Sequence, residues 1–282
     1  MRAGIKRWIV DARGRLRGEA ARALVLLRRR PGLGGRQQRP HGLPGRLIVS
    51  LTSYPPRFAT LHLTLRCLLS QTMAPDAVIL WLEEPGNLPA RVTALCQHGL
   101  TLAKHRERGP FGKIIPALHT HPDAFIATAD DDAYYQRNWL EELVSAWRPD
   151  VREVVCHRAH GVELDRAGRP LAYTRWRYEL KAPEKSRRVF PTGLGGVLYP
   201  PGILHADVVN EALYQKLCPT ADDLWLYWMA LRNGASFRKI GVHRPVPLWP
   251  GSQRVSLYDE NVTRRGNDRQ IANLVEAFGY SV

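Results

Sequence analysis

Apolar residues along this chain fall into two kinds of pattern, and from residue 47 onward the two alternate. "RLIVSLTS" (46–53), "AVILWL" (77–82), "GLTLAKH" (99–105) and "DAFIATA" (123–129) are short, mostly apolar runs that predict buried strands. Between them Leu61, Leu65, Leu68 and Leu69 recur at helical spacing, and residues 89–98 and "KIIPALHTH" (113–121) predict two further helices. Helices are also predicted over "QRNWLEELVSAW" (136–147), from "ADDLWLYWMALRNG" (221–234), and at the end, where Ile271, Leu274, Val275 and Phe278 share a face. "SFRKIG" (236–241) reads as a strand. The β-α-β-α order predicts an α/β fold, an open and mostly parallel sheet with helices on both faces. In such sheets ligands bind beside the carboxyl ends of the strands.

Residues 1–30 follow a different pattern. Ile5, Trp8, Ile9, Ala12, Leu16, Ala20, Leu24 and Leu27 recur at spacings of three and four, while Lys6, Arg7, Arg13, Arg15, Arg17 and Arg22 fall largely off that stripe. This predicts a basic amphipathic helix, which either lies on an anionic membrane surface or packs its stripe on the body. "PGLGGRQQRPHGLPG" then predicts a flexible linker over residues 31–46, with the folded domain spanning 47–282.

Charge sharpens this division. The chain has 41 Lys and Arg against 26 Asp and Glu; 13 of the basic and two of the acidic side chains lie within residues 1–46, leaving 28 against 24 for the body. Total charge is therefore no argument for nucleic-acid binding by the folded domain. The four cysteines form no C-x-x-C pair, so neither a zinc site nor a disulfide framework is expected, and a reducing cytoplasm suits them. No signal-peptide pattern and no run of 18 apolar residues occurs. The expected location is cytoplasmic, with peripheral attachment to the inner membrane face if the basic helix binds lipid.

Candidate chemistry concentrates at "FIATADDDAYY", where Asp130, Asp131 and Asp132 follow the fourth predicted strand. Three adjacent carboxylates at a ligand-binding edge repel unless a cation neutralises them, and oxygen-only ligands favour Mg²⁺ or Mn²⁺. Capping the following helix would use only one of them. A phosphate-binding G-x-x-x-x-G-K-[ST] loop is absent, and "TGLGGVLYPPG" fails the G-x-G-x-x-G spacing.

Together, "IVSLTSYPPRFATLHLTLRCLLSQTMAPDAVILWLEE", the D-x-D element in "ADDD" and "PTADDLWLYWMALRNG" resemble a bacterial nucleotide-sugar glycosyltransferase of the GT-A type. The likeness is to the family-two enzymes of capsule and lipopolysaccharide biosynthesis, over roughly residues 47–280. It implies a UDP- or GDP-linked sugar donor, a glycan or lipid-linked acceptor, and a divalent metal held by Asp130 and Asp132, with Asp131 in the variable middle position. Thr52, Ser53, Tyr54 and Arg57 match the nucleotide pocket, Tyr54 stacking on the base and Arg57 meeting phosphate. Glu83 matches the acidic position after the second strand loosely.

Gly109, Gly112 and Lys113 match a glycine-containing segment before the third helix, where a lysine set against the helix dipole suggests anion binding. Gly195 and Gly196 match the acceptor loop, and His243 the histidine that completes the metal site in many members. His157 and His160 are expected to line the acceptor cleft at most. Asp222 and Asp223 match the acidic pair that supplies the catalytic base, Asp223 taking the proton, with Leu224 and Trp225 as its apolar surroundings. A purely local alternative makes Thr220 and Asp223 a capping box. The other functional alternatives are a sugar-nucleotide nucleotidyltransferase, whose glycine-rich loop "LTSYPPRF" lacks, and a non-catalytic membrane scaffold.

Overall fold

The structure, a computed structural model, describes residues 2–27, 38–106, 109–252, 259–280 and 282, and side chains among them except those of 2–11, 259 and 260. The chain begins with helix α1 (Arg2–Leu27), and the body opens on strand β1 (Leu47–Thr52), followed by α2 (Phe58–Leu68) and β2 (Ala77–Leu82). Next come α3 (Ala90–Thr93), β3 (Leu100–Lys104), α4 (Ile115–Thr120), β4 (Phe125–Thr128) and α5 (Trp139–Ala146). Strands β5 (Glu153–Cys156), β6 (Ala159–Gly161), β7 (Glu184–Ser186), β8 (Val189–Pro191) and β9 (Val197–Tyr199) lead to α6 (Glu211–Leu217). The chain closes with α7 (Asp222–Arg232), β10 (Ser236–Lys239) and α8 (Gly266–Phe278).

Eight strands form one sheet in the order β3-β2-β1-β4-β9-β5-β10-β7, and β6 pairs with β8 in a two-stranded ribbon. β1, β2, β3 and β4 run parallel, as do β5 and β10; β9 lies antiparallel between β4 and β5, and β7 antiparallel on β10. The predicted α/β architecture is therefore present, an open sheet of mostly parallel strands. Its two faces carry separate apolar cores, one built on Ile48, Ile79, Ile126 and α7, the other on Val49, Leu80, Ala127 and α2. Alternate residues of a strand point to opposite faces, so strands covered on both sides are buried along their length, as β4 is and as β1 is up to Leu51.

Two local departures have physical reasons. The helix expected over 89–98 is only four residues of α followed by a tight 3₁₀ turn, Ala94–His98, closed by Gly99 at φ 98°. The helix expected from Lys113 starts at Ile115, because Pro116 is favoured in a first helical turn and Gly109–Lys113 forms its own 3₁₀ turn. Helix α7 is buried from Leu224 to Leu231, as an all-round apolar sequence requires.

Helix α1 packs on the body through residues other than the expected apolar stripe. Gly18, Ala21 and Val25 are the residues buried against the body, whereas Leu16, Leu24 and Leu27 are exposed. Ile5, Trp8, Ile9, Lys6 and Arg7 have side chains outside the description, as does the linker from 31 to 37. Among the described residues no helix is long and apolar enough to cross a membrane.

Candidate active site

β1 and β4 are sheet neighbours in register, with Ser50 opposite Thr128, so the loops that follow them emerge side by side. They open into a cavity of about 1020 Å³. Thr52, Ser53, Tyr54, Arg57, Lys113, Asp130, Asp131, Asp132, Asp222 and Asp223, ten of the residues expected from the sequence, all line it.

The turn bearing the three aspartates is fixed from behind. The buried Thr64 hydroxyl lies 2.9 and 3.0 Å from the carbonyl oxygens of Asp131 and Ala133, and Trp249 Nε1 donates to Thr64 Oγ1 at 2.7 Å. The Asp130 amide donates to the Tyr135 hydroxyl at 2.8 Å. With its backbone held, the turn aims each carboxylate at a different partner. Ser53 Oγ donates to Asp131 Oδ2 at 2.5 Å, Arg57 pairs with Asp132 and lies 3.9 Å from Asp131, and Lys113 Nζ donates to Asp130 Oδ1 at 2.9 Å.

Lys113 then links the two acidic motifs. Its Nζ is also 3.0 Å from Asp222 Oδ2, at an angle that makes the contact ionic rather than a directed hydrogen bond. Asp223 faces the other way, both of its oxygens accepting from the Gly193 amide at 3.0 Å. A Cβ on Gly193 would stand 2.6 Å from Lys113 Nζ and 3.0 Å from Asp223 Oδ1, so any larger residue there would push these two groups aside. The capping-box alternative does not form: Ala221 precedes α7 without a side-chain cap, and the Thr220 hydroxyl donates instead to Asn261 Oδ1 at 2.6 Å.

Burial sets the charge states here. It pushes the Asp223 carboxyl up to about 7, with the Asp222 charge adding to it, and raises Asp222 although Lys113 pulls it back. Asp131 is likewise pushed up to about 7 by burial and by Asp132. For Lys113 burial opposes the charge, but Asp130, Asp222 and Asp223 outweigh it and hold the ammonium well above its usual range. Arg57 is held up in the same way, burial being outweighed by Asp132 and Asp131.

The opposite wall is aromatic. Arg158 reaches Glu179 at 2.9 Å, Thr192 Oγ1 at 2.7 Å and the Tyr178 hydroxyl at 3.1 Å. His160 stacks on Tyr178 at 4.3 Å, and burial with Arg158 nearby pushes its imidazole down to about 3, so it is neutral. Tyr178 is still 55% exposed toward solvent. Gly193, Arg158 and Tyr178 escaped the sequence reading.

Four expected residues lie elsewhere. Trp225 is in the core, its indole donating to the Val208 carbonyl at 2.9 Å. Gly195 and Gly196 allow close packing rather than lining the cavity: a Cβ on Gly195 would strike Arg158, and one on Gly196, at φ 88°, would strike Trp139. His243 is off the cavity, with Nε2 3.5 Å from Glu179. Of the weaker candidates, Glu83 and His160 line the cavity, and His157 bonds the Trp139 carbonyl at 3.0 Å. Asp130 and Asp132 are turned to different cations, and among the described residues no three His, Cys, Asp or Glu side chains converge to hold a metal ion.

No protein-family model matches the chain, and no curated protein does. Among solved structures, residues 1–349 of S. aureus TarS are similar to this chain, with 14% identity and a TM-score of 0.48 over 83% of this chain and 72% of that one.

Proposed function

We propose that the chain is a nucleotide-sugar glycosyltransferase of GT-A type that inverts the anomeric centre. The observation that carries this reading is the buried cluster in which Lys113 spans 2.9 Å to Asp130 and 3.0 Å to Asp222, beside Asp223, whose carboxylate is held by the Gly193 amide. A sugar transfer needs positive charge where a diphosphate departs and a carboxylate where an acceptor hydroxyl loses its proton. Both stand in one cavity.

In the proposed reaction the acceptor oxygen forms a bond to the anomeric carbon as the bond from that carbon to the diphosphate oxygen breaks. The hydroxyl proton passes to the Asp223 carboxylate. The leaving diphosphate keeps the electron pair, and Lys113 and Arg57 meet its charge. Tyr54, 39% exposed at the rim with Arg57 5.9 Å from its ring, offers a stacking surface to the base. The donor is a UDP- or GDP-linked sugar, and the acceptor a glycan or glycolipid.

No step here runs through a divalent ion, so the donor and metal expectations are tested together. Calorimetric titration of UDP and GDP into the full chain, in chelator and again with Mn²⁺, should show micromolar binding of one of them under both conditions. Binding only with Mn²⁺ would recast Asp130 and Asp132 as ligands, and binding of neither nucleotide under any condition would remove the transferase reading.

The aromatic wall is assigned to the acceptor, because an exposed tyrosine face backed by a neutral imidazole suits the apolar face of a sugar ring. Tyr178→Ala should raise KM for the acceptor roughly tenfold, in the range of one lost aromatic contact, with donor KM within about twofold. An acceptor KM unchanged by the substitution would place the acceptor elsewhere.

A further inference from the structure

Helix α1 is the element the transferase reading leaves unused, and its described side chains present two opposed faces. On one, Gly18, Ala21 and Val25 are buried, with Gly18 so near the Leu248 carbonyl that a Cβ would collide. At about 100° per residue, Leu16, Ala20, Ala23 and Leu27 fall together on the opposite side. All four are exposed, Leu16 at 71% and Leu27 at 85%, and Leu24 and Leu26 border them at 47% and 49%. Arg13 and Arg17 flank this stripe on one side; on the other stand Arg15, Arg22 and Glu19, the last 3.9 Å from Arg22, all exposed. A helix face serving only water would carry polar residues in that position.

We propose that this outer face is a docking surface for an anionic lipid bilayer, with the leucines in the headgroup–acyl boundary and the arginines at the phosphates. Charge complementarity selects the occupant: arginines frame the apolar stripe on both flanks, and residues 1–46 carry 13 basic side chains against two acidic ones. Arginine stems also extend the apolar contact while their heads stay among headgroups. Because Leu248 lines the active-site cavity and abuts Gly18, the bound helix brings the cavity rim close to the lipid plane. The inference stands on the helix alone and does not rest on the proposed reaction.

Co-sedimentation of the full chain with phosphatidylcholine vesicles, with and without phosphatidylglycerol, tests it. Binding is expected to the anionic vesicles only and to fall as salt rises from about 0.1 to 1 M, over which the screening length drops from about 10 to 3 Å. Leu16→Ser with Leu27→Ser, and separately Arg13→Gln with Arg17→Gln, should each lower partitioning roughly tenfold or more, leaving Tm and nucleotide binding unchanged. Partitioning of both double variants equal to wild type would overturn the proposal, as would equal binding to neutral vesicles. A concentration-dependent dimer that the leucine variant abolishes, without lipid binding, would assign the face to a second copy of the chain instead.

Discussion

Asp223→Asn is expected to lower turnover by about 10²- to 10⁴-fold while the protein stays folded and binds donor as before. The size follows from loss of a positioned general base, and the retained fold follows from the local geometry. Asp223 caps no helix, for α7 starts after Ala221 without a side-chain cap. Among the described residues its directed bond comes from the Gly193 amide, which an asparagine carbonyl accepts equally well. Asp222 reaches Lys113 but not Gly193, so Asp222→Asn should alter donor affinity more than the chemical step.

A pH profile separates these roles. Asp223 acts as base only when ionised, and burial holds its carboxyl near 7, so kcat/KM in the wild type should rise with pH and level off above about 7. In Asp223→Asn that rise should vanish. Turnover within a few-fold of wild type, with the pH profile intact, would move the base to Asp222.

The parts of this molecule that could be read from sequence are those that short-range pattern decides. β1 to β4 are mostly apolar runs broken by helical segments, and the rule that ligands gather at parallel strand ends puts Asp130–Asp132 at the ligand-binding edge, while Ser53 and Arg57 are legible only through the resemblance. β9 was not legible. It is three residues long, and its place between β4 and β5 is decided by partners 41 to 73 positions away in the chain. Helix α7 has no polar face over "LWLYWMAL", so nothing in its sequence tells that Trp225 turns into the core while Asp223 meets the cavity.

Gly193 was missed in favour of Gly195 and Gly196, because all three sit in one glycine-rich loop. What distinguishes Gly193 is the approach of Lys113 and Asp223 from distant segments. The stripe of α1 is exposed at Leu16, Leu24 and Leu27, and the contact with the body falls on other residues. Large apolar residues dominated the periodicity, yet the helix passes the Leu248 carbonyl at Gly18, where a Cβ would collide, and buries the small Ala21 close to it in sequence.

Lys113→Met is expected to damage both stability and catalysis, and the two losses should respond oppositely to one another's remedies. Lys113 is buried, its Nζ 2.9 Å from Asp130 and 3.0 Å from Asp222, with Asp223 adding to the field that keeps it charged. Methionine fills much of the same volume without charge, so three carboxylates lose their common cation. Removing one partner of a buried ion pair costs about 3–5 kcal/mol, which for a chain of this size lowers Tm by roughly 10 °C.

The sign of the pH dependence follows from the carboxyls. Asp222 and Asp223 already have folded-state values above the unfolded one, so in the wild type they detract from stability as pH rises from about 4 toward 7. Without Lys113 their values rise further. The Tm gap between Lys113→Met and wild type should therefore be small near pH 5 and widen toward pH 8. Turnover should fall about 10²- to 10³-fold, the usual consequence of deleting a group that meets developing charge. Mild acid, which restores the fold, should not restore turnover, because it also protonates Asp223. A Tm gap independent of pH would show that Lys113 is not the counter-ion of this cluster. Turnover within a few-fold of wild type in the folded variant would mean that the departing diphosphate is met by Arg57 without it.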